Sequence, residues 1–190
     1  NESGAASGVV VVVSDQTARY RARQALAESE ERLRLALRSA NQGLYDLNVQ
    51  TGDATVTPEY ATMLGYDPAA FKETHDAWIA RLHPDDVERV SKAYRDYTDG
   101  RTSEYRVEFR QRTFDGNWRW IFSLGSVVAR TDDGRALRML GTHTDISDRK
   151  EAEEALRRSE QDLAITLQSI GDAVISTDAE GCIVRMNATA

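Results

Sequence analysis

The stretch Glu104–Thr144, EYRVEFRQRTFDGNWRWIFSLGSVVARTDDGRALRMLGTHT, decides the class of fold. Tyr105, Val107 and Phe109 alternate with Glu104, Arg106, Glu108 and Arg110, the period-two pattern of a half-buried strand. Asp115-Gly116-Asn117 turns the chain, and Trp118, Trp120, Phe122 and Leu124 then share one face of a second strand. Asp132-Asp133-Gly134 turns it again, into a third strand from Ala136 to about Thr144. Three hairpin-linked strands in succession predict an antiparallel meander.

Working outward, Leu44–Val49 and Ala54–Thr57 read as two short strands around the turn Gln50-Thr51-Gly52-Asp53. Pro58 opens a helical turn holding Tyr60, Met63 and Leu64, which Gly65 stops. Ala77–Leu82 is a second short helical piece. Pro84 opens a longer helix, on which Val87, Val90, Tyr94 and Tyr97 stand three, four and three apart and so share a face. Asp99-Gly100 ends it. The order β-β-α-α-α-β-β-β predicts an α+β fold with short helices on one sheet face.

Composition narrows the classes. A chain of 190 residues, 41% hydrophobic and 29% charged, is neither collagen-like nor disordered, and has room for one domain with extras or two small ones. The balance of 24 basic and 31 acidic residues, net −7, argues against general phosphate-backbone binding, so no nucleic-acid partner is expected. Cys182 stands alone, which rules out a disulfide within the chain and fits a reducing, cytoplasmic setting. The longest apolar run, Val9–Val13, is far too short to span a membrane, and no membrane contact is expected of this segment.

A shift of 130 residues brings SDQTARYRARQALAESEERLRLALRSA, from Ser14, over TDISDRKEAEEALRRSEQDLAITLQSI, from Thr144. Asp15, Arg19, Ala22, Ala25, Leu26, Ser29, Glu30, Leu33, Leu37 and Ser39 all meet identical residues in the second copy. A fixed long period marks an array of units. The expected division is therefore 1–29 as the tail of a preceding unit with its linker helix, 30–150 as a complete unit, and 151–190 as a linker helix with the start of the next. In the linkers, Ala22, Leu26, Ser29, Leu33, Ala36 and Ala40 keep a four-three spacing, repeated by Ala152, Leu156, Ser159, Leu163, Thr166 and Ile170. These are heptad a and d spacings. They predict amphipathic linker helices with a parallel dimer seam at Leu26, Leu33, Leu156 and Leu163, weakened by its small residues. Packing of the same stripe on the domain's own sheet is the alternative.

At this point the chain resembles the PAS domain with its C-terminal PAC segment. The resemblance rests on Ala40-Asn41-Gln42-Gly43-Leu44-Tyr45-Asp46, Leu64-Gly65-Tyr66, His83-Pro84-Asp85-Asp86, Asp115-Gly116-x-x-Arg119-Trp120, and Gly141-x-x-x-Asp145-Ile146-Ser147-Asp148-Arg149-Lys150. Ser147 stands where the family usually has Thr, keeping a hydroxyl able to cap a helix. Asp15-Gln16-Thr17 fits the same closing motif, and Leu163–Asn187 looks like the opening of a following unit. The resemblance implies a five-stranded antiparallel sheet with short helices enclosing a cavity, flanked by linker helices. Such modules bind small ligands or cofactors, or only dimerise, and pass a signal along their linkers to histidine kinases, diguanylate cyclases or phosphodiesterases.

Each candidate chemistry has a plainer reading. His83, Asp85 and Asp86 read as a helix start, with Pro84 at the first position and carboxylates at the positive dipole end, and no metal is expected there. His75 and His143 are lone histidines of the structural kind. Haem-binding relatives usually carry the axial histidine on the long helix, and Val87–Tyr97 has none. Photosensory relatives use a core cysteine, and 30–150 has none, although non-covalent flavin binding stays open. Trp118, Trp120, Phe109, Phe122, Trp78 and Tyr60 fit a hydrophobic core, and the candidate lining of a ligand cavity is Tyr60, Trp78, Phe109, Trp120, Phe122 and Leu124. No phosphate-gripping glycine loop, nucleophile motif or phosphoacceptor-histidine motif is present, so no catalytic role is expected of this segment. The reading is a non-enzymatic sensory and signal-transmission module, regulating a histidine kinase or cyclic-dinucleotide enzyme in the parent protein. Its expected partners are a second copy through the linkers, adjacent PAS units and a C-terminal effector. No cofactor is expected, with room left for an unidentified small ligand. Asp145, Ile146 and Ser147 are the expected signal-coupling corner, Asp145 through polar contacts and Ser147 as helix cap. A ligand-free dimerisation spacer and a non-covalent haem or flavin redox sensor are the alternatives.

Overall fold

A computed structural model describes residues 17–169 and 175–186. Asp15, Gln16, Val9–Val13, Ile170 and Asn187 of the sequence reading lie outside them. The chain divides into two compact units, Asn1–Ala40 and Asn41–Ala190. In the first, α1 (Thr17–Ser39) is one continuous helix with no buried residue, and Leu26 and Leu33 stand exposed on it.

The second unit is α+β. Strands β1 (Gln42–Asn48) and β2 (Asp53–Val56) form the first hairpin. Then come α2 (Pro58–Met63), β3 (Glu73–Thr74), α3 (His75–Ala80) and α4 (Pro84–Thr98). The meander β4 (Tyr105–Arg112), β5 (Trp118–Arg130) and β6 (Ala136–Asp145) follows. These strands make one antiparallel sheet in the order β3-β2-β1-β6-β5-β4. The five expected strands are joined by a sixth, the two-residue β3 at the β2 edge. Two residues, one of them charged, are too few to leave a period in the sequence.

Local chemistry sets the helix ends. Thr74 Oγ1 accepts from the Ala77 N–H and starts α3 two residues earlier than the apolar spacing predicts. Arg81–His83 then run beside β4: Arg112 N–H donates to the Arg81 carbonyl at 2.8 Å and His83 N–H to the Arg110 carbonyl at 2.9 Å. His83 caps α4, its Nδ1 accepting from the Asp85 N–H, with Pro84 next. The core between α2–α4 and the sheet centres on Leu64, Val90, Phe109, Ile121 and Met139. At Gly43 a Cβ would stand 2.4 Å from the Tyr60 Cα, so the bare backbone is what lets α2 lie on β1.

Helix α5 (Ser147–Ser169) leaves the sheet, with Leu156 and Leu163 exposed, and β7 (Ile175–Thr177) and β8 (Ile183–Met186) form a separate two-stranded sheet. Shifted by 130, the bounds of α1 coincide with those of α5, and those of β2 with β8. The pairs Tyr45↔Val56 and Asp46↔Thr55 recur as Ile175↔Met186 and Ser176↔Arg185. Among the described residues no helix is long and apolar enough to cross a membrane.

Candidate functional site

Two places carry functional geometry: a cavity between the sheet and its helices, and the corner where β6 becomes α5.

The cavity measures about 40 Å³. The sheet supplies Tyr45, Leu47, Tyr105, Ser123, Met139 and His143, and the helical side supplies Tyr60, His75, Trp78 and Tyr94. Of the expected lining, Tyr60 and Trp78 are there. Phe109 sits a layer behind, edge-on to both Trp78 and His143 with ring centroids 5.5 Å away. Trp120, Phe122 and Leu124 do not line it. Strand β5 turns Ile121 and Ser123 inward, so its aromatic stripe occupies the opposite face. There Arg110 and Lys150 lie over Trp120 at 5.4 and 5.1 Å, and Arg106 over Phe122 at 5.8 Å. Alternation shows which residues share a face, not which face meets the helices. Ser123 is the residue that β5 gives to the lining, with Tyr45 from β1 and Tyr105 from β4, and no period in the sequence separates the face of Ser123 from that of the aromatic stripe.

Burial dominates the electrostatics. His143 is 4% exposed, stacks on Tyr60 at 4.8 Å and meets Tyr45 edge-on at 5.1 Å. Desolvation, with the Arg81 charge nearby, pushes its imidazole down to about 3, so it is neutral at ordinary pH. Burial lowers His75 as well, against the opposing pull of Asp76. It raises the phenols of Tyr45, Tyr60 and Tyr105, and pushes Tyr94 up to about 12. Glu73, the charged residue of the lining, pairs with Arg81, whose guanidinium lies over Phe71 and Tyr66. No group of three or more His, Cys, Asp or Glu among the described residues could hold a metal. Drug-sized ligands occupy pockets of roughly 300–1,000 Å³. This one is far smaller.

At the corner, Asp145 Oδ1 accepts from the Ser147 N–H at 2.9 Å, and its Oδ2 lies 3.0 Å from Arg119 Nη1. The same Arg119 nitrogen donates to the Met63 carbonyl at 2.7 Å, tying the end of α2 to the exit of the sheet. Ile146 is buried, and its N–H donates to the Trp120 carbonyl at 2.9 Å. Ser147 is not the cap. It is the first residue of α5, and its Oγ accepts from the Trp120 N–H at 3.1 Å, pinning the helix to β5. Asp145 supplies the acceptor at the helix start instead. One turn on, Arg149 and Lys150 both pair with Glu108 of β4 at 2.6 Å, and their hydrogen bonds hold that carboxyl below its usual range. Leu26, Leu33, Leu156 and Leu163, the residues expected at a dimer seam, are 48–62% exposed on their helices.

Comparison with known proteins agrees with this geometry. The family profile described as PAS fold matches residues 53–143. Sensor protein FixL of Bradyrhizobium diazoefficiens is 31% identical over 163 residues, 84% of this chain and 31% of that one. The probable diguanylate cyclase DgcE of Escherichia coli is 34% identical over 123 residues, 65% of this chain and 11% of that one. The chain thus spans about a third or less of these curated relatives. The crystal structure of a sensory box histidine kinase/response regulator from Burkholderia thailandensis is 36% identical, with a TM-score of 0.61, covering 70% of this chain and 97% of that one.

Proposed function

Because the chain belongs to the PAS-fold family, we propose that 41–150 is a sensory and signal-transmission module, itself non-catalytic, whose output passes through Asp145-Ile146-Ser147 into α5 and on to an effector enzyme. The effector is of the histidine kinase or diguanylate cyclase kind, which is how the relatives are named. The observation that carries this reading is the Arg119 bridge. A single guanidinium holds both the end of α2, beside the cavity, and the first bend of the outgoing helix. A shift of the cavity wall therefore has a direct polar path to α5. The exposed heptad stripes on α1 and α5 support parallel dimerisation, and the coincidence of elements at a shift of 130 supports adjacent PAS units.

The test uses helical phase in the full-length parent. Deleting seven residues within Glu151–Arg158 preserves the heptad seam, whereas deleting two turns everything downstream by about 200°. Stimulus-dependent kinase or cyclase output is expected to survive the first and to be locked or inverted by the second. Equal output from both would sink phase coupling. Full regulation in an Asp145→Ala, Ser147→Ala double variant would remove the corner from the mechanism. The small cavity favours one second reading, a ligand-free spacer that relays torque between units. That spacer would answer to both deletions and to no small molecule.

A further inference from the structure

The cavity wall carries buried polar groups that the protein itself leaves unpaired. Ser123 is 1% exposed, and its hydroxyl makes no hydrogen bond of ordinary geometry in the protein, the phenols of Tyr45 and Tyr105 being its nearest polar neighbours. Trp78, 8% exposed, leaves its indole N–H equally unpartnered. Ser123 and His143 are direct cross-strand neighbours on β5 and β6, and both line the cavity with Trp78. The phenols of Tyr45 and Tyr105 lie beside Ser123. Buried donors and acceptors are nearly always satisfied, by protein or by ordered water.

Size and chemistry select the same occupant. A water needs roughly 10–15 Å³ of such space, so about 40 Å³ admits one to three waters and no ring-sized molecule. The groups on offer are an indole donor, hydroxyls that donate and accept, and a neutral imidazole with one nitrogen of each kind. Glu73, the charged residue of the lining, is already engaged by Arg81, so no net charge calls for an ion. The fitting guest is small, neutral, and both donor and acceptor.

We propose that the cavity is a built hydration site, holding about one to three ordered waters between Ser123, Trp78 and His143, with Tyr45 and Tyr105 as further partners. The site stands whether or not the domain senses a stimulus. Its waters belong to the fold and fill the space in which a larger guest would have to sit.

The 190-residue chain, labelled with ¹⁵N and ¹³C, tests this by water-to-protein NOE and ROE spectroscopy. A cross-peak at the Trp78 indole proton is expected, with the sign of a water held longer than nanoseconds. Oxygen-17 relaxation dispersion, blind to hydroxyl exchange, is expected to count fewer long-lived waters in Ser123→Val, whose added methyl fills the space and removes the hydroxyl. The cross-peak should vanish in that variant. Should Ser123→Val fail to fold, the wild-type spectrum still decides. A wild-type indole without a water NOE overturns the proposal. Xenon-induced shifts at Ser123 and Trp78 without water signals would show a dry cavity, and a stoichiometric organic mass retained in native mass spectrometry would show a different guest. Either result overturns it.

Discussion

Asp86 is a carboxylate 5% exposed at the start of α4, and it reaches across 24 residues of sequence to hold β4. Its Oδ2 accepts from the Arg110 N–H at 2.9 Å and from Arg110 Nε at 3.0 Å, and its Oδ1 from Arg89 at 3.2 Å. Burial alone would raise this carboxyl, but hydrogen bonds from Arg110 and Arg89 outweigh it and leave the group below its ordinary value. A depressed folded value contributes stability that is fully present above the unfolded value of about 3.9 and is lost as pH falls through the folded one. Asp86→Asn is expected to lose about 1.5–3 kcal/mol at pH 7, the range for hydrogen bonds to charged groups. The gap from wild type should narrow below about pH 4. Urea unfolding of both proteins at pH 7, 5 and 3.5 checks it, and a pH-independent gap would show the carboxylate's charge to be irrelevant. The motif His83-Pro84-Asp85-Asp86 was legible as a helix start, and His83 and Pro84 serve so. The second duty of Asp86 was not legible, because its partner lies on a strand far along the chain.

Between elements, the hidden quantity was orientation. Period-two alternation placed the three strands of the meander correctly, yet the aromatic stripe of β5 was read as facing the cavity because aromatic residues usually seek the core. Here Arg106, Arg110 and Lys150 lie over Trp120 and Phe122 on the outer face, while the inward positions of β5 hold the smaller Ile121 and Ser123. At the corner the expected helix cap is Ser147, but the acceptor at the helix start is Asp145. A hydroxyl caps only from the residue before the first helical turn, and Ser147 lies one place inside it. Asp145→Ala removes the acceptor of the Ser147 N–H and one end of the Arg119 bridge. Arg119 is 40% exposed, so the pair itself contributes little to global stability, about 1 kcal/mol at most. The expected result is local: amide exchange at Ser147–Lys150 quickens several-fold while the denaturation midpoint barely moves. Unchanged exchange in that turn would mean that Asp145 does not anchor α5.

At the scale of the molecule, the 130-residue shift told more than any single motif, because it located both flanking helices, α1 and α5, together. What it did not tell is how much of each linker belongs to the domain's own stability. The first turn of α5 is bonded to the sheet through Ser147 to Trp120, Lys150 over Trp120, and Arg149 and Lys150 to Glu108. From Glu160 to Thr166 every residue is exposed, and β7 and β8 pair with each other alone. Isolated two-stranded hairpins are marginal in water, so this one adds no cooperative stability to the six-stranded domain. Truncation after Ser159 is therefore expected to leave the melting temperature within about 2 °C of the full chain. Truncation after Ile146 removes the contacts of the first turn, worth about 1–2 kcal/mol together, and for a domain near 100 residues each kcal/mol is about 4–8 °C. A fall of about 5–15 °C is expected there. Circular dichroism melts of the three proteins decide between the two boundaries. A large cooperative loss already at Ser159 would place the C-terminal segment inside the folding unit, and an unchanged midpoint at Ile146 would make α5 a passive tether, unable to carry a shift of the sheet.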